Sequence, residues 1–264
     1  MKMVIMGPAG KMGRAMVAAV VADPELELAG AVAPSGRDYL GDDAGVVAGL
    51  GRSVGVAVTH DLDGVLPGAD CLLDCTNPAT AMAALDRCLA HGVAFVSGTT
   101  GFSAEERARL EAAGETIPVI LAYNTSRLFN LLFDAVGRVA SKLGSEVDVD
   151  IIDMHDNQKI DAPSGTAKEI AGIVGRELDL PLETATCGRQ GMEARQPGTL
   201  AFNSIRSGGY PGSVKVIFGL ENEKLELSAS VYNMETYARG MVDAGRYLKD
   251  KGPGWYDLKS VFGM

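Results

Sequence analysis

The chain is poor in basic residues, aromatics, cysteines, histidines and long apolar runs, and each shortage excludes something. Its 24 lysines and arginines face 34 aspartates and glutamates, a net charge of −10. That balance argues against nucleic acid or an anionic membrane surface as the main partner, and leaves an anionic small molecule to be decided by local charge. No stretch approaches the roughly 20 apolar residues of a membrane span. The opening Met1–Gly7 carries no cleavage pattern, so no membrane partner and a cytoplasmic location are expected. Cys71, Cys75, Cys88 and Cys187 lack paired metal-ligand spacing; no metal is expected, and the cysteines read as buried thiols of a reducing compartment. Of the three histidines, His60 and His91 lack the lysine and helix start that accompany the third, and read as surface or turn residues. Glycine, by contrast, is abundant, at 33 of 264 residues. With 47% hydrophobic residues, this fits a packed core with many tight strand-to-helix turns, in one large or two modest domains.

The periodicities predict two regions. In the first, short apolar strands at Met3–Met6, Glu27–Val32, Asp70–Asp74, Ala94–Ser97 and Pro118–Ala122 alternate with helices at Arg14–Val21, Pro78–Ala90 and Ala104–Ala113. Pro34–Gly55 reads as loop with a short helix. That alternation implies a parallel sheet covered on both faces. After residue 125 the pattern changes to a long amphipathic helix at Leu128–Leu143, strands at Val147–Ile152, Leu200–Arg206, Ser213–Phe218 and Lys224–Ala229, and a helix at Ala167–Leu178. This reads as a mixed or antiparallel sheet with helix on one side. The expected fold is therefore α/β, a Rossmann-type parallel sheet followed by an α+β domain on a mixed sheet. Residues 1–125 together with a returning helix and tail, 236–264, form the first domain, and 126–235 the second.

Between the first strand and first helix stands Gly7-x2-Gly10-x2-Gly13. Glycines are needed where the backbone turns tightly and a pyrophosphate approaches peptide N–H groups at a helix start. Gly7, Gly10 and Gly13 are the candidate nucleotide-binding turn. At the end of the second strand, where an NAD-preferring site offers a carboxylate, the chain reads Ala33-Pro34-Ser35-Gly36-Arg37. Ser35 and Arg37 suit a 2′-phosphate, so NADPH is the expected cofactor, with NADH possible. Gly98, Thr99 and Thr100 follow another strand end, as do Tyr123, Asn124, Thr125 and Ser126, and ligands of open α/β sheets lie beyond such ends. For Asp74-Cys75-Thr76-Asn77-Pro78, a strand-to-helix turn and a cofactor contact are both open.

In Asp153-Met-His155-Asp156-Asn-Gln-Lys159-Ile-Asp161-Ala-Pro163-Ser164-Gly165-Thr166-Ala167, a histidine, a lysine and a helix start fall in one turn-rich stretch. His155 suits proton donation near neutral pH. Lys159 suits a carboxylate or a departing hydroxyl, and Ser164, Gly165 and Thr166 present a helix N-terminus to an anion. The competing reading makes Thr166 and Glu169 a capping box, with Ser164 capping a turn. Arg127 is open between a substrate cation and a surface charge, and Arg206-Ser-Gly-Gly209 reads as a turn within reach of a substrate.

The glycine motif, Gly98-Thr-Thr-Gly-Phe102, the Lys159–Ala167 motif, Leu40-Gly41-x-Asp43-Ala44-Gly45 and Gly188-Arg189-x-Gly191 occur in an order that resembles the 4-hydroxy-tetrahydrodipicolinate reductases, also called dihydrodipicolinate reductases. The resemblance covers essentially the whole chain. It implies NAD(P)H-dependent reduction of 4-hydroxy-tetrahydrodipicolinate to tetrahydrodipicolinate in lysine and diaminopimelate biosynthesis, and a homotetramer. The family's proton donor falls on His155, its second catalytic group on Lys159, and its carboxylate cradle on Gly165 and Thr166; its cofactor contacts fall on Gly7, Pro8, Ala9, Gly10, Lys11 and Met12, on Gly98, Thr99 and Thr100, and on Ala122, Tyr123, Asn124 and Thr125. Departures lie on the substrate side. Asp156 stands where the family has a second histidine, Val214 ends a Gly-Glu-His segment that reads Gly212-Ser213-Val214 here, Ala229 replaces a histidine and Met234 an arginine; Asn124-Thr-Ser-Arg-Leu128 also differs from the family's pattern. An alternative is a paralogous NADPH-dependent reductase of another imine or oxo acid; a third reading is a nucleotide-binding protein without turnover.

Overall fold

A computed structural model of the chain describes residues 1–196, 199–209 and 211–264. In chain order the elements are β1 (Lys2–Met6), α1 (Lys11–Val21), β2 (Glu27–Val32), α2 (Ala44–Val47), β3 (Val58–Thr59), α3 (Leu62–Val65), β4 (Cys71–Asp74), α4 (Pro78–His91), β5 (Ala94–Ser97), α5 (Ala104–Ala113), β6 (Pro118–Leu121), α6 (Arg127–Leu143), β7 (Asp148–His155), α7 (Gly165–Leu178), β8 (Thr186–Cys187), β9 (Leu200–Arg206), β10 (Gly212–Gly219), β11 (Lys224–Val231), α8 (Glu235–Leu248), β12 (Gly254–Tyr256) and α9 (Leu258–Phe262). They divide into two compact units, Met1–Thr125 with Met234–Met264, and Ser126–Asn233.

The first unit is a seven-stranded sheet in the order β12-β6-β5-β4-β1-β2-β3, every pair parallel. Its apolar runs are continuous because helices cover both faces. Strand alternation divides them between two cores. Met3, Ile5, Cys71, Leu73, Val96 and Ile120 pack with Met16 and Val20 of α1 and Met241 and Leu248 of α8. Val4, Leu72, Phe95 and Val119 pack with Leu85 and Cys88 of α4 and Leu110 of α5. The strand order is that of a doubly wound nucleotide fold, 3-2-1-4-5-6, extended at one edge by β12 from the end of the chain. Two strands of this unit that the periodicity did not reveal, β3 and β12, have two and three residues, too short to establish a period. Met234 and Glu235 go with the first unit, since α8 begins at Glu235 and contributes Ala238 and Met241 to the first of these cores.

The second unit is a mixed five-stranded sheet, β11-β10-β7-β9-β8. β10 runs antiparallel to β11 and β7, and β9 parallel to β7 and β8. Val149, Ile151, Val214, Val216 and Phe218 are fully or almost fully buried on one face. Ile152, Met154 and Ile217 on the other face are only partly covered, and Ile205 there is 43% exposed. α6 and α7 pack against each other and against β11 and β7 respectively. The strand expected to end at Ile152 runs on to His155, so the histidine is the last residue of a strand rather than part of the loop after it. Of the cysteines, Cys71 and Cys88 are buried, Cys75 is partly covered and Cys187 is exposed; all are free thiols.

Candidate active site

The turn between β1 and α1 has the form a pyrophosphate needs. Gly7 adopts φ +67°, which L side chains avoid. A Cβ on Gly13 would lie 1.9 Å from the Gly7 carbonyl oxygen, so only glycine lets α1 close on the turn. The helix starts at Lys11 behind Gly10, which offers no side-chain cap, and the amides of its first turn remain to meet an anion. Lys11 and Arg37 are exposed; Ser35 and Arg37 stand together in the loop after β2. This arrangement fits a dinucleotide.

At the sheet's other strand ends, polar side chains are used within the protein. Asp74, at the end of β4, is fully buried. It accepts from the hydroxyls of Thr76 (2.6 Å), Thr99 (2.7 Å) and Ser97 (2.8 Å). Burial raises its pKa; the three hydroxyls work against that without cancelling it. Thr99 also accepts from the Thr76 N–H, so its hydroxyl holds two strand ends together, while Thr100 alone of the Gly98-Thr99-Thr100 trio is exposed. Asn77 caps α4 and Pro78 opens it, so the Asp74–Pro78 segment is the turn that one reading expected. Burial, with Asp74 adjacent, pushes the Cys75 thiol up to about 12, which makes it a poor nucleophile.

The Ala122–Thr125 segment is held from behind by α8. The Thr125 hydroxyl donates to the Tyr237 carbonyl at 2.7 Å. Burial pushes the Tyr237 phenol up to about 12, against a hydrogen bond with Asn124. A Cβ on Gly240 would stand 1.8 Å from the Thr125 carbonyl oxygen. Asn124 and Thr125 are buried; Tyr123 is partly covered, its hydroxyl accepting from Arg107 at 3.3 Å.

In the second unit, β7 delivers Asp153 and His155 to one point. Asp153 is fully buried, with Oδ1 2.9 Å from His155 Nδ1. Oδ2 accepts from the Ser164 N–H and from Arg206 Nη2, both at 2.9 Å. Burial alone would raise this carboxyl; the contacts from His155, Ser164 and Arg206 outweigh it and hold Asp153 well below the usual carboxylate range. Lys159 Nζ lies 2.7 Å from Asp161, whose carboxyl is likewise held down by Lys159 against the effect of burial. Asp156 accepts from the Gln158 N–H at 2.8 Å, which closes the turn that carries Lys159.

The start of α7 differs from the capping box considered above. The helix begins at Gly165, and Ser164 is its cap, accepting from the Ala167 N–H. Ser164 thus has its hydroxyl on Ala167 and its N–H on Asp153. It shapes the loop, and leaves Gly165 and Thr166 at the opening of the helix. Two residues gain importance that the sequence did not assign. Asp153 was detectable as a charge on the apolar side of a strand, after Val149 and Ile151. Arg206, read as part of a turn, is paired inside the protein: it donates to the carbonyls of Asp153, Ile205 and Asp161. Arg127 is an exposed first residue of α6. His91 pairs with Asp63 at 2.9 Å on the surface. Among the described residues no cluster of three or more His, Cys, Asp or Glu could hold a metal ion, and no helix is long and apolar enough to cross a membrane.

Comparison with known proteins agrees with this geometry. Residues 1–125 match the family model "Dihydrodipicolinate reductase, N-terminus" and residues 129–262 its "C-terminus" counterpart. A 4-hydroxy-tetrahydrodipicolinate reductase of Burkholderia mallei (strain SAVP1) is 39% identical over 269 residues, spanning 100% of this chain and 98% of its own. The solved structure of a dipicolinate-bound dihydrodipicolinate reductase from Paenisporosarcina sp. TG-14 superposes with a TM-score of 0.75 at 25% identity, over 97% of each chain. An amine dehydrogenase from Mycobacterium smegmatis shares the fold, with a TM-score of 0.67 at 18% identity over 97% of this chain and 94% of its own. With both halves matched in order and the curated relative aligned end to end, the chain belongs to the dihydrodipicolinate reductase family.

Proposed function

We propose that the chain reduces 4-hydroxy-tetrahydrodipicolinate to tetrahydrodipicolinate, with release of water, in lysine and diaminopimelate biosynthesis. The observation that carries this reading is the gathering of His155, Ser164 and the start of α7 around one buried carboxylate, Asp153, with Lys159 on the loop between them. A reduced nicotinamide nucleotide supplies the hydride when bound. Everything else falls to side chains and amides of the chain. His155 donates the proton that balances the hydride. The N–H groups that open α7 cradle one carboxylate of the substrate. Lys159 leaves Asp161 for a second carboxylate or for the departing hydroxyl, since a lysine on a flexible stem exchanges one carboxylate for another at little cost. Relatives of this family at 39% identity, matched through the substrate half as well as the nucleotide half, favour this substrate over another imine or oxo acid.

Arg37 favours NADPH: it is an exposed cation in the position where an NAD-preferring site would place a carboxylate. Asp38, also exposed, follows directly and acts in the opposite sense on a 2′-phosphate, so an Arg37→Ala variant isolates the cation's share. The partly uncovered sheet face of the second unit, with Ile152, Met154, Ile205 and Ile217, supports self-association into the tetramer that the family resemblance implies. A cytoplasmic location accords with a free-thiol chain and a biosynthetic role.

The deciding experiment follows nicotinamide oxidation by absorbance, with enzymatically generated 4-hydroxy-tetrahydrodipicolinate beside a panel of cyclic imines and oxo acids. Turnover of the first is expected, and turnover of another substrate alone would replace this reading. His155→Gln should lower kcat by ~10²–10⁴; an unchanged rate would remove it from proton transfer.

A further inference from the structure

β7 and β9 run parallel, with Asp153 opposite Ser204 and His155 opposite Arg206. The register places a carboxylate and an imidazole of one strand beside a guanidinium of the next. Fully buried, the carboxylate must find donors or pay a large desolvation cost. Its two oxygens find them differently. Oδ2 takes the Ser164 N–H (2.9 Å), Arg206 Nη2 (2.9 Å) and, more weakly, the Ser204 hydroxyl (3.3 Å). Oδ1 takes none of these. Among the described residues, it and His155 Nδ1 make no straight hydrogen bond to any other group, yet the two atoms lie 2.9 Å from each other. The contact is bent, and it joins two buried atoms that have no hydrogen bond elsewhere among the described residues.

That pairing leaves the imidazole little choice. If Nδ1 were bare, its lone pair would face a carboxylate oxygen at contact distance in a site closed to water. If Nδ1 carries hydrogen, donor meets acceptor. We infer that Asp153 is a positioning residue for the proposed reduction: it fixes His155 with hydrogen on Nδ1, which makes Nε2 the atom that delivers the proton. In that step the Nε2–H bond of the imidazolium breaks, its electron pair stays on Nε2, the proton bonds to the substrate, and the neutral ring keeps its Nδ1 hydrogen against Asp153. Arg206 completes the device. It donates to Asp153 Oδ2 and also to the carbonyls of Asp153 and Asp161, so the carboxylate cannot turn without disturbing the loop that carries Lys159. The inference rests on the reading of His155 as the proton donor, and its geometric half can be tested apart from that reading.

The chain has three histidines, so nitrogen-15 spectra of ring-labelled protein are simple, and His155→Gln identifies the signals of interest. At a pH where the ring is neutral, Nδ1 should carry the hydrogen and Nε2 none. In Asp153→Asn the amide oxygen should stay with the three donors around Oδ2. The amide NH2 would then face Nδ1, which must accept, and the hydrogen should move to Nε2. With the wrong tautomer, kcat should fall by about 10²–10⁴-fold, KM should stay within a few-fold, and nicotinamide nucleotide binding should be unchanged. A wild-type ring with hydrogen on Nε2 would overturn the inference, and this holds even if D153N fails to fold. So would a D153N protein that loses activity with its tautomer unmoved, or one that keeps its activity. Absence of turnover by the wild type would count against the reductase reading, and the tautomer would still decide the positioning claim.

Discussion

Replacing Gly240 by alanine should destabilise the first unit, although alanine is the better helix former. The residue lies inside α8, where in an open position the change would gain about 1 kcal/mol. Here the new Cβ would stand 1.8 Å from the Thr125 carbonyl oxygen, 2.7 Å from its carbon and 3.0 Å from the Thr125 Cβ. Ordinary contact begins near 3.4 Å, so helix and segment must separate by roughly 1.5 Å, and the obstacle is backbone, which cannot rotate away as a side chain can. Overpacking of this kind costs about 1–3 kcal/mol or more. Separation would also stretch the Thr125 hydroxyl's bond to the Tyr237 carbonyl, 2.7 Å long, and disturb Asn124 against the Tyr237 phenol; losing one such bond adds about 1 kcal/mol. After the helix-propensity gain, the net loss is about 1–3 kcal/mol. At about 2–4 °C per kcal/mol for a chain of this size, Tm should drop by roughly 2–12 °C in a calorimetric or fluorescence melt.

The same change at Gly172 supplies the control. That residue also lies inside a helix, α7, but its nearest new neighbour would be the flexible end of Arg176 at 3.6 Å. G172A should therefore raise Tm by about 1–4 °C, from a gain of about 0.5–1 kcal/mol. Because Gly240 backs the Asn124–Thr125 segment, G240A should also weaken nicotinamide nucleotide binding, whereas G172A should not. If G240A melted as high as G172A and bound the nucleotide as well as the wild type, α8 would not be what holds that segment.

Arg37→Ala should weaken NADPH binding by about tenfold, the loss of one charge-assisted contact at an exposed site, and leave NADH binding nearly unchanged; equal effects on both, measured by titration, would remove the 2′-phosphate role. Lys159→Met should lower kcat/KM by about 10–150-fold, the equivalent of about 1.5–3 kcal/mol for a hydrogen bond to a charged group, without altering nucleotide binding, and a rate equal to the wild type would leave the lysine merely paired with Asp161. Sedimentation should find a tetramer, and a charged residue placed at Ile205 should dissociate it; a wild-type monomer would refute the sheet-face assembly. The pKa of Asp74 is raised in the fold, so its contribution to stability is fully present below the ordinary carboxylate pKa and is lost as pH rises through the raised value, and Asp74→Asn should flatten that fall in denaturant titrations. The pKa of Asp153 is lowered, so its contribution is present above the ordinary value of 3.8 and is lost only as pH falls below that, and Asp153→Asn should be the less acid-sensitive protein even though it starts from lower stability.

Much of this molecule was legible in the sequence wherever a rule acts over a few neighbouring residues. The Gly7–Gly13 turn was readable because a positive φ and a helix packed on a carbonyl oxygen both demand glycine. The two sheets were readable because strand alternation assigns Met3 and Val4 to opposite cores and Val149 and Ile151 to one. His155 and Lys159 stood out because a histidine, a lysine and a helix start fall within a dozen residues of sequence. What escaped was set by partners far along the chain. Nothing near Gly240 reveals that it touches Thr125, over a hundred residues earlier, and nothing near Arg206 reveals that its two Nη groups donate to Asp153 and Asp161.

The two buried carboxylates carry that argument furthest. Asp74 and Asp153 are the same residue type, both at or near the end of a strand and both with no exposed surface. Sequence alone would treat them alike, and burial alone would raise both pKa values. Their donors separate them. Asp74 meets three neutral hydroxyls, which soften the desolvation of a charge without balancing it. Asp153 meets an imidazole, the Ser164 amide and hydroxyl, and a guanidinium, and together they outweigh burial where the hydroxyls around Asp74 do not. The first carboxylate therefore ties loops together and is strained by being charged, while the second is held charged across the neutral range. A charged Asp153 favours hydrogen on Nδ1 of His155, so the sign of that shift, set by His155, Ser164 and Arg206 together against burial, bears on which nitrogen of the imidazole is left to give up its proton.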